Sequence, residues 1–237
     1  MLTEGEEISD FSVETPKSPI RLSPVIKVVS AGCNLRCPYC FYTGHQPEIK
    51  VMSEETAEVV TRKLIDASPK STTFIWHGGE PTIAGIEFYE KVVCIQKKFR
   101  RPGQQVINTI QTNATLVDSK WADFFATNNW NVGISLDGPE FLHNKTRIDV
   151  GKQGTFSRVV RGLEVLREKD LKIGAIAVIN KQSLNYPEEI FNTMYGLGLS
   201  FSANSCSARP SDPDEVKNLA ITHTEYAEFL LKLFELW

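Results

Sequence analysis

The sequence predicts an α/β fold, a partial (β/α)6 barrel with TIM-like alternation of strand and helix. Three observations predict it. Short apolar, β-branched runs alternate strictly with longer segments of helical period, which argues for a parallel sheet with right-handed crossovers. The alternation gives six units, short of the eight that close a barrel, so the sheet is read as curved and open on one side. The residues able to do chemistry stand directly after the strand candidates, at the carboxyl edge where such folds build their sites.

In order, residues 1–24 show no clear period and read as an N-terminal extension, with 25–237 as the core domain. The strand candidates are Val25–Ala31, Ser71–Trp76, Gln105–Gln111, Asn131–Leu136, Lys172–Ile179 and Leu199–Asn204. The helix candidates are Ser53–Ala67, Ile86–Arg100, Ser119–Thr127, Thr155–Lys169, Tyr186–Tyr195 and His223–Trp237. Local chemistry marks several boundaries. Ser53-Glu54-Glu55 starts a helix, and Thr222 with Glu225 forms a capping box. Asp137-Gly138-Pro139 turns the chain after the fourth strand, and Gly196-Leu197-Gly198 stops the fifth helix. The polar, proline-containing segment 207–214 reads as a loop. Cys94, within Val92-Val93-Cys94-Ile95, is expected in the core, as is the stripe Phe229, Leu230, Leu233, Phe234 and Trp237.

The first strand candidate runs into Cys33, Cys37 and Cys40, a C-x3-C-x2-C loop. Thiolates are soft ligands for zinc or for iron–sulfur clusters. A structural zinc site needs four protein ligands, and His45 or His77 would supply the fourth here. Bound to a cluster of four irons, three thiolates leave one iron open to a small molecule. Spacing alone leaves both readings standing.

Further motifs follow the other strands. Trp76-His77-Gly78-Gly79-Glu80-Pro81 offers two glycines for close backbone approach and a carboxylate that accepts from an ammonium group; it is equally a plain tight turn. Gln111-Thr112-Asn113-Ala114-Thr115 faces a cleft or caps a turn. Ser135 is a donor to a carboxylate or ribose hydroxyl, and Arg147 is a fork for a carboxylate. His77 and His143 are candidate bases, with a structural role favoured for His143. Cys206, just past the sixth strand, is placed to face the cleft.

The cysteine loop with Tyr39 before its last cysteine and Phe41-Tyr42 after it, Gly78-Gly79-Glu80-Pro81-Thr82, Gln111-Thr112-Asn113, and Gly133-Ile134-Ser135-Leu136-Asp137-Gly138-Pro139 resemble the radical S-adenosylmethionine superfamily, and within it the anaerobic sulfatase-maturating enzymes. The segment Glu225-Tyr226-Ala227-Glu228-Phe229-Leu230 joins the resemblance, which runs from about Val25 to Trp237. It implies the partial barrel of the radical S-adenosylmethionine type. It also implies a [4Fe-4S] cluster held by Cys33, Cys37 and Cys40, and S-adenosyl-L-methionine chelated at the open iron. Tyr39, Gly79, Ser135 and Arg147 match positions that contact S-adenosylmethionine, and Gly78, Glu80, Asn113 and Ala208 join them as cofactor-site candidates. His77 and Tyr42 are the cleft-facing catalytic candidates, and Ala114 stands where glycine is usual. The implied chemistry is reductive cleavage to a 5′-deoxyadenosyl radical that abstracts hydrogen from a protein or peptide, turning Cys or Ser into formylglycine. The implied partners are that substrate and a flavodoxin- or ferredoxin-like electron donor. The family continues into a cysteine-rich SPASM domain with auxiliary clusters; with only Cys94 and Cys206 left over, this chain is expected to lack it.

A net charge of −3 gives no basic field for nucleic acid. The acidic, polar first ten residues are unlike a signal peptide, and no apolar run is long enough to span a bilayer. Three clustered thiols among five cysteines suit a reducing compartment, so the expected location is cytoplasmic. Two other readings keep some of these features: a maturase that crosslinks or epimerises a ribosomally made peptide, and a non-catalytic metal-binding module.

Overall fold

The computed structural model describes residues 23–40 and 49–237, so Phe41, Tyr42, His45 and nearly all of the N-terminal extension lie outside the described residues. Six strands form one sheet in sequential order: β1 (Val25–Lys27), β2 (Ser71–His77), β3 (Gln105–Thr112), β4 (Asn131–Ser135), β5 (Ile173–Ile179) and β6 (Ser200–Ser205). Every adjacent pair is parallel, so all six carboxyl ends lie along one edge. Between them run α1 (Glu54–Ala67), α2 (Ile86–Phe99), α3 (Ser119–Thr127), α4 (Glu140–Thr146), α5 (Phe156–Arg167) and α6 (Pro187–Gly196); α7 (Asp214–Leu219) and α8 (His223–Leu236) follow β6. No described helix is long and apolar enough to cross a membrane.

The strands alternate in burial, which assigns their two faces. Phe74 and Trp76, Ile110, Val132 and Ile134, and Ala175, Ala177 and Ile179 are buried. Between them Ile75, His77, Gln111, Ser135, Ile176 and Val178 are only half-buried. The buried face carries an aromatic layer. Trp76 stacks on Trp130 at 6.1 Å and meets Tyr89 of α2 edge-on at 5.8 Å. Trp121 of α3 meets Tyr89 at 5.7 Å. A buried amide pair pins this layer: Gln96 of α2 and Asn108 of β3 exchange two 2.9 Å bonds, and Trp76 Nε1 donates to Asn108 Oδ1 at 2.9 Å. Satisfying these polar groups inside the core sets how α2 sits over the sheet.

The caps follow the sequence. Ser53 Oγ accepts from Thr56 N at 3.2 Å, and Thr222 with Glu225 makes both halves of the capping box before α8. Four expectations need correction. The first strand ends at Lys27, not Ala31: Val28 and Val29 are buried as expected, but Ser30 takes φ +55 and turns the chain toward Cys33. Two short helices, α4 and α7, stand where only turn or loop was read, each too short to show a period. Cys94 is exposed, because α2 buries Phe88, Tyr89, Val92, Val93 and Gln96 and leaves position 94 outside. In the α8 stripe Phe229 is buried and Leu233 packs on the core, whereas Phe234 is 74% and Trp237 94% exposed.

Candidate functional site

The cysteine loop leaves β1 at the carboxyl edge and is fastened to each of the next three strand ends. At β2, the Gly78-Gly79-Glu80 turn packs on the root of the loop: Glu80 N donates to Gly32 O at 2.8 Å. Gly79 has φ +51, and a Cβ there would lie 1.9 Å from the same carbonyl. Only glycine permits that approach. At β3, Asn34 Nδ2 donates to Thr115 Oγ1 at 2.9 Å, and Asn113 Nδ2 donates to Asn34 Oδ1 at 2.8 Å. At β4, the Tyr39 hydroxyl donates to Asp137 Oδ2 at 2.6 Å. On its outer side the loop pairs with the segment after α4, where Arg36 N donates to Ile148 O at 2.7 Å.

Glu80 does not present its carboxylate to the cleft as the sequence suggested. It is fully buried and accepts from Thr82 N (3.0 Å), Thr82 Oγ1 (2.6 Å), Thr112 Oγ1 (2.6 Å) and Asn113 N (2.6 Å). Its role in this structure is to tie the end of β2 to the end of β3. Burial raises its pKa above the usual carboxylate range, opposed by the four donated bonds.

The three thiols are free of disulfides, and each of Cys33 and Cys37 feels the charge of Cys40. Cys33 Sγ also accepts from Leu35 N at 3.3 Å and from Asn113 Nδ2 at 3.8 Å. Burial pushes the Cys33 thiol up to about 11 and the Cys37 thiol up to about 12, so both carry protons at neutral pH until a metal displaces them. Among the described residues no three His, Cys, Asp or Glu side chains converge as they would around a single ion. Thiolates on separate irons of one cluster need no such convergence. The donor set, three sulfurs with N–H groups directed at one of them, fits a multinuclear iron–sulfur group.

Asp137, given no site role of its own from the sequence, is the hub of the site. Its buried carboxylate accepts from Tyr39, from Arg147 Nη2 at 3.0 Å, from Val178 N at 2.9 Å and from Thr146 Oγ1 at 3.4 Å. Burial raises its pKa, but the Arg147 guanidinium, His143 and the donated bonds outweigh that and hold it below the ordinary value. Arg147 stacks over the Tyr39 ring at 5.6 Å. Its side chain is only 9% exposed, and among the described residues its Nε has no acceptor. A buried donor without a partner costs ~1–3 kcal/mol, so this N–H marks where an anionic group would bind well.

His143 is structural, as favoured. Asp137 N donates to its Nδ1 at 3.3 Å, and Thr155 Oγ1 lies 3.0 Å from its Nε2. Because Thr155 Oγ1 itself donates to Arg147 O, the ring is the neutral tautomer with the proton on Nε2. Burial lowers its pKa to about 3. His77 is half-buried beside Lys27, its register partner on β1. Its Nδ1 accepts from Gly78 N at 2.6 Å, which leaves Nε2 protonated in the neutral ring. His77 therefore offers a donor and not the free lone pair a base requires. Burial, and then the Lys27 charge, lowers its pKa and keeps it neutral.

Ser135, at the end of β4, accepts from Gln111 Nε2 at 3.2 Å, so the two side chains meet on the half-open face. Ala114 takes φ +59, a left-handed conformation that favours glycine. Ala208 lies half-buried after β6. Cys206 is buried and feels the Asp137 charge, so it does not line an open cleft.

Comparison with known proteins bears on this geometry. The Radical SAM superfamily model matches residues 28–194, from the end of β1 into α6. This chain belongs to the radical SAM superfamily. It is 34% identical over 222 residues to a cysteine-type anaerobic sulfatase-maturating enzyme of Clostridium novyi, covering 91% of this chain and 59% of the relative. It is 38% identical over 178 residues to a serine-type enzyme of Bacteroides thetaiotaomicron, covering 71% and 42%. The solved structure of native anSMEcpe with bound AdoMet and Cp18Cys peptide superposes with a TM-score of 0.85 at 30% identity, over 92% of this chain and 60% of that one. Streptococcus suis SuiB bound to S-adenosylmethionine, at 17% identity and a TM-score of 0.69, shares the fold. The six-stranded parallel sheet is thus the radical SAM partial barrel. This chain spans about three-fifths of the length of the Clostridium novyi relative.

Proposed function

We propose that this chain is the core of a radical S-adenosylmethionine enzyme that acts on a protein or peptide side chain, converting Cys or Ser to formylglycine. Cys33, Cys37 and Cys40 would hold a [4Fe-4S] cluster, and S-adenosylmethionine would lie between the cysteine loop and the ends of β2 to β4. When bound, the cluster and S-adenosylmethionine together supply a 5′-deoxyadenosyl radical that abstracts hydrogen.

The protein's share is position and water exclusion. Leu35 N and the Asn113 amide donate to the Cys33 sulfur and favour its thiolate form. Gly79 lets the second strand end close against the loop. Arg147 offers a buried N–H and a positive charge to the carboxylate of S-adenosylmethionine, and Ser135 a hydroxyl to the same ligand. His77, with its Nε2 proton, is a donor toward a substrate carbonyl. An electron carrier of the flavodoxin or ferredoxin kind would reduce the cluster. The observation that carries the proposal is that Tyr39, on the loop of the three cysteines, reaches the Asp137 that holds Arg147, so this loop and a buried cation whose Nε has no acceptor among the described residues share one edge of the sheet. The substrate class rests on the maturase relatives and on the peptide held in the solved relative.

The test is incubation of anaerobically reconstituted, dithionite-reduced protein with S-adenosylmethionine and a sulfatase peptide carrying Cys or Ser. Formation of 5′-deoxyadenosine together with an aldehyde on the peptide is expected. Absence of 5′-deoxyadenosine would refute the enzyme assignment. Its formation with a crosslinked or epimerised peptide in place of the aldehyde would refute the formylglycine assignment.

A further inference from the structure

Asp137 gathers donors from distant parts of the chain onto one carboxylate. Tyr39 comes from the cysteine loop, Thr146 and Arg147 from the end of α4, and Val178 N from β5. Its side chain is 2% exposed, so these bonds stand in place of water around the carboxylate. A second chain of bonds holds the same corner. Asp137 N donates to His143, His143 donates to Thr155, and Thr155 donates to the carbonyl of Arg147. The backbone and the guanidinium of Arg147 are therefore both referred to residue 137. The outcome is a fixed cation that spends Nη2 on Asp137 and leaves Nε without an acceptor among the described residues.

We infer that Asp137 is a positioning residue. It aims Arg147 at the carboxylate of S-adenosylmethionine and, through the Tyr39 hydroxyl, couples occupancy of that site to the loop that carries the cluster. The inference deepens the proposed function and rests on it, because it takes S-adenosylmethionine as the ligand. The geometry requires an ionised acceptor at 137. A neutral amide of the same shape keeps one oxygen for Arg147 and Val178 but turns an N–H₂ toward Tyr39 and Thr146, so two of the ties must rearrange. The charge that fixes the guanidinium is lost with them.

The test uses the whole chain, anaerobically reconstituted, as wild type, Asp137→Asn, Arg147→Gln, the double variant and Tyr39→Phe. Binding is measured for S-adenosylmethionine and for decarboxylated S-adenosylmethionine, which lacks the anionic group. Asp137→Asn is expected to weaken S-adenosylmethionine by roughly tenfold or more, the value of a charge-assisted hydrogen bond. It is expected to leave the decarboxylated compound bound as in wild type. In the Arg147→Gln background the same change should cost nothing further, since a residue acting through another has no effect once that other is gone. Tyr39→Phe keeps the ring and removes only the tie to the loop, so it should reduce the change that S-adenosylmethionine produces in the spectrum of the reduced cluster. If Asp137→Asn loses the cluster, Tyr39→Phe and Arg147→Gln still carry the test.

Equal weakening of both ligands by Asp137→Asn overturns the inference, as does full additivity of the two substitutions. An unaltered spectral response in Tyr39→Phe overturns the coupling. Failure of wild type to bind S-adenosylmethionine at all would instead strike the proposed function, so the two failures are distinguishable.

Discussion

Replacing Gly79 with alanine probes the contact on which the site is built. The added Cβ would stand 1.9 Å from Gly32 O, the carbonyl that accepts from Glu80 N, one residue before the first cysteine. Two costs follow. A non-glycine residue held at φ +51 costs ~1–2 kcal/mol. Relieving the clash must push the turn off Gly32 and break the Glu80–Gly32 bond, about 1 kcal/mol more. The sum, about 2–3 kcal/mol, lowers the melting temperature of a chain of this size by roughly 4–12 °C. Gly103 supplies the control. It also has a positive φ, +77, but a Cβ there meets nothing within 4 Å. Gly103→Ala should therefore show only the backbone cost, ~1–2 kcal/mol or roughly 2–8 °C, and so melt above Gly79→Ala. Thermal unfolding by circular dichroism under anaerobic conditions compares the two, and iron and sulfide per chain are measured on the same samples. Gly79→Ala should also carry less iron, because the displaced segment leads into Cys33; Gly103→Ala should load like wild type. Equal melting temperatures and equal iron in the two variants would refute the reasoning.

Three further outcomes are expected. His143 has a folded pKa of about 3 against an unfolded value near 6.5, so the unfolded chain binds the extra proton first. Stability should fall as pH drops below about 6.5, by ~2 kcal/mol between pH 7 and 5 from this group; His143→Gln should lack that component, and parallel pH profiles for the two proteins would contradict the assignment. Glu80→Gln places an amide N–H₂ against groups that already donate, so it should cost ~1–3 kcal/mol in denaturant unfolding, and a cost near zero would show that the carboxylate does not tie β2 to β3. Asn113→Ala removes an N–H donated to Cys33 Sγ and should make the reduced cluster harder to form, seen as a more negative midpoint potential in a redox titration; a shift to more positive values would count against the bond.

Much of the fold was legible because its signals are periodic. Five of the six strands and all six expected helices fall within about two residues of their observed bounds, since alternation and caps such as Ser53 and Thr222 are local signals. What escaped was short or non-local. The seven-residue helix α4 and the six-residue helix α7 show too little sequence to reveal a face. Val28 and Val29 read as strand because they are apolar, and they are buried, yet the strand ends at Lys27 and the chain turns at Ser30. Cys94 and Phe234 are apolar positions on helices whose buried side is already filled by other residues, which no window of sequence can show.

The site divides the same way. The cysteines stood out by spacing, and the glycines of the second motif by their position after a strand. The inward turn of Glu80 and the role of Asp137 depend on residues 32 to 98 positions away in sequence, Thr112, Asn113 and Tyr39. An aspartate followed by glycine and proline carries the signature of a turn, and that signal hid the hub. The depressed pKa of Asp137 and the unpartnered nitrogen of Arg147 are visible only in three dimensions.

The central claim is that three thiolates of one loop hold an iron–sulfur centre with an iron left for a small sulfonium ligand. Electron paramagnetic resonance of the anaerobically reconstituted, reduced protein tests it most directly. The account predicts a paramagnetic signal from the reduced centre that changes shape and position when S-adenosylmethionine is added, and that is lost when Cys33, Cys37 or Cys40 is replaced by alanine. A signal that ignores S-adenosylmethionine, or one that survives loss of any of these cysteines unaltered, would contradict it.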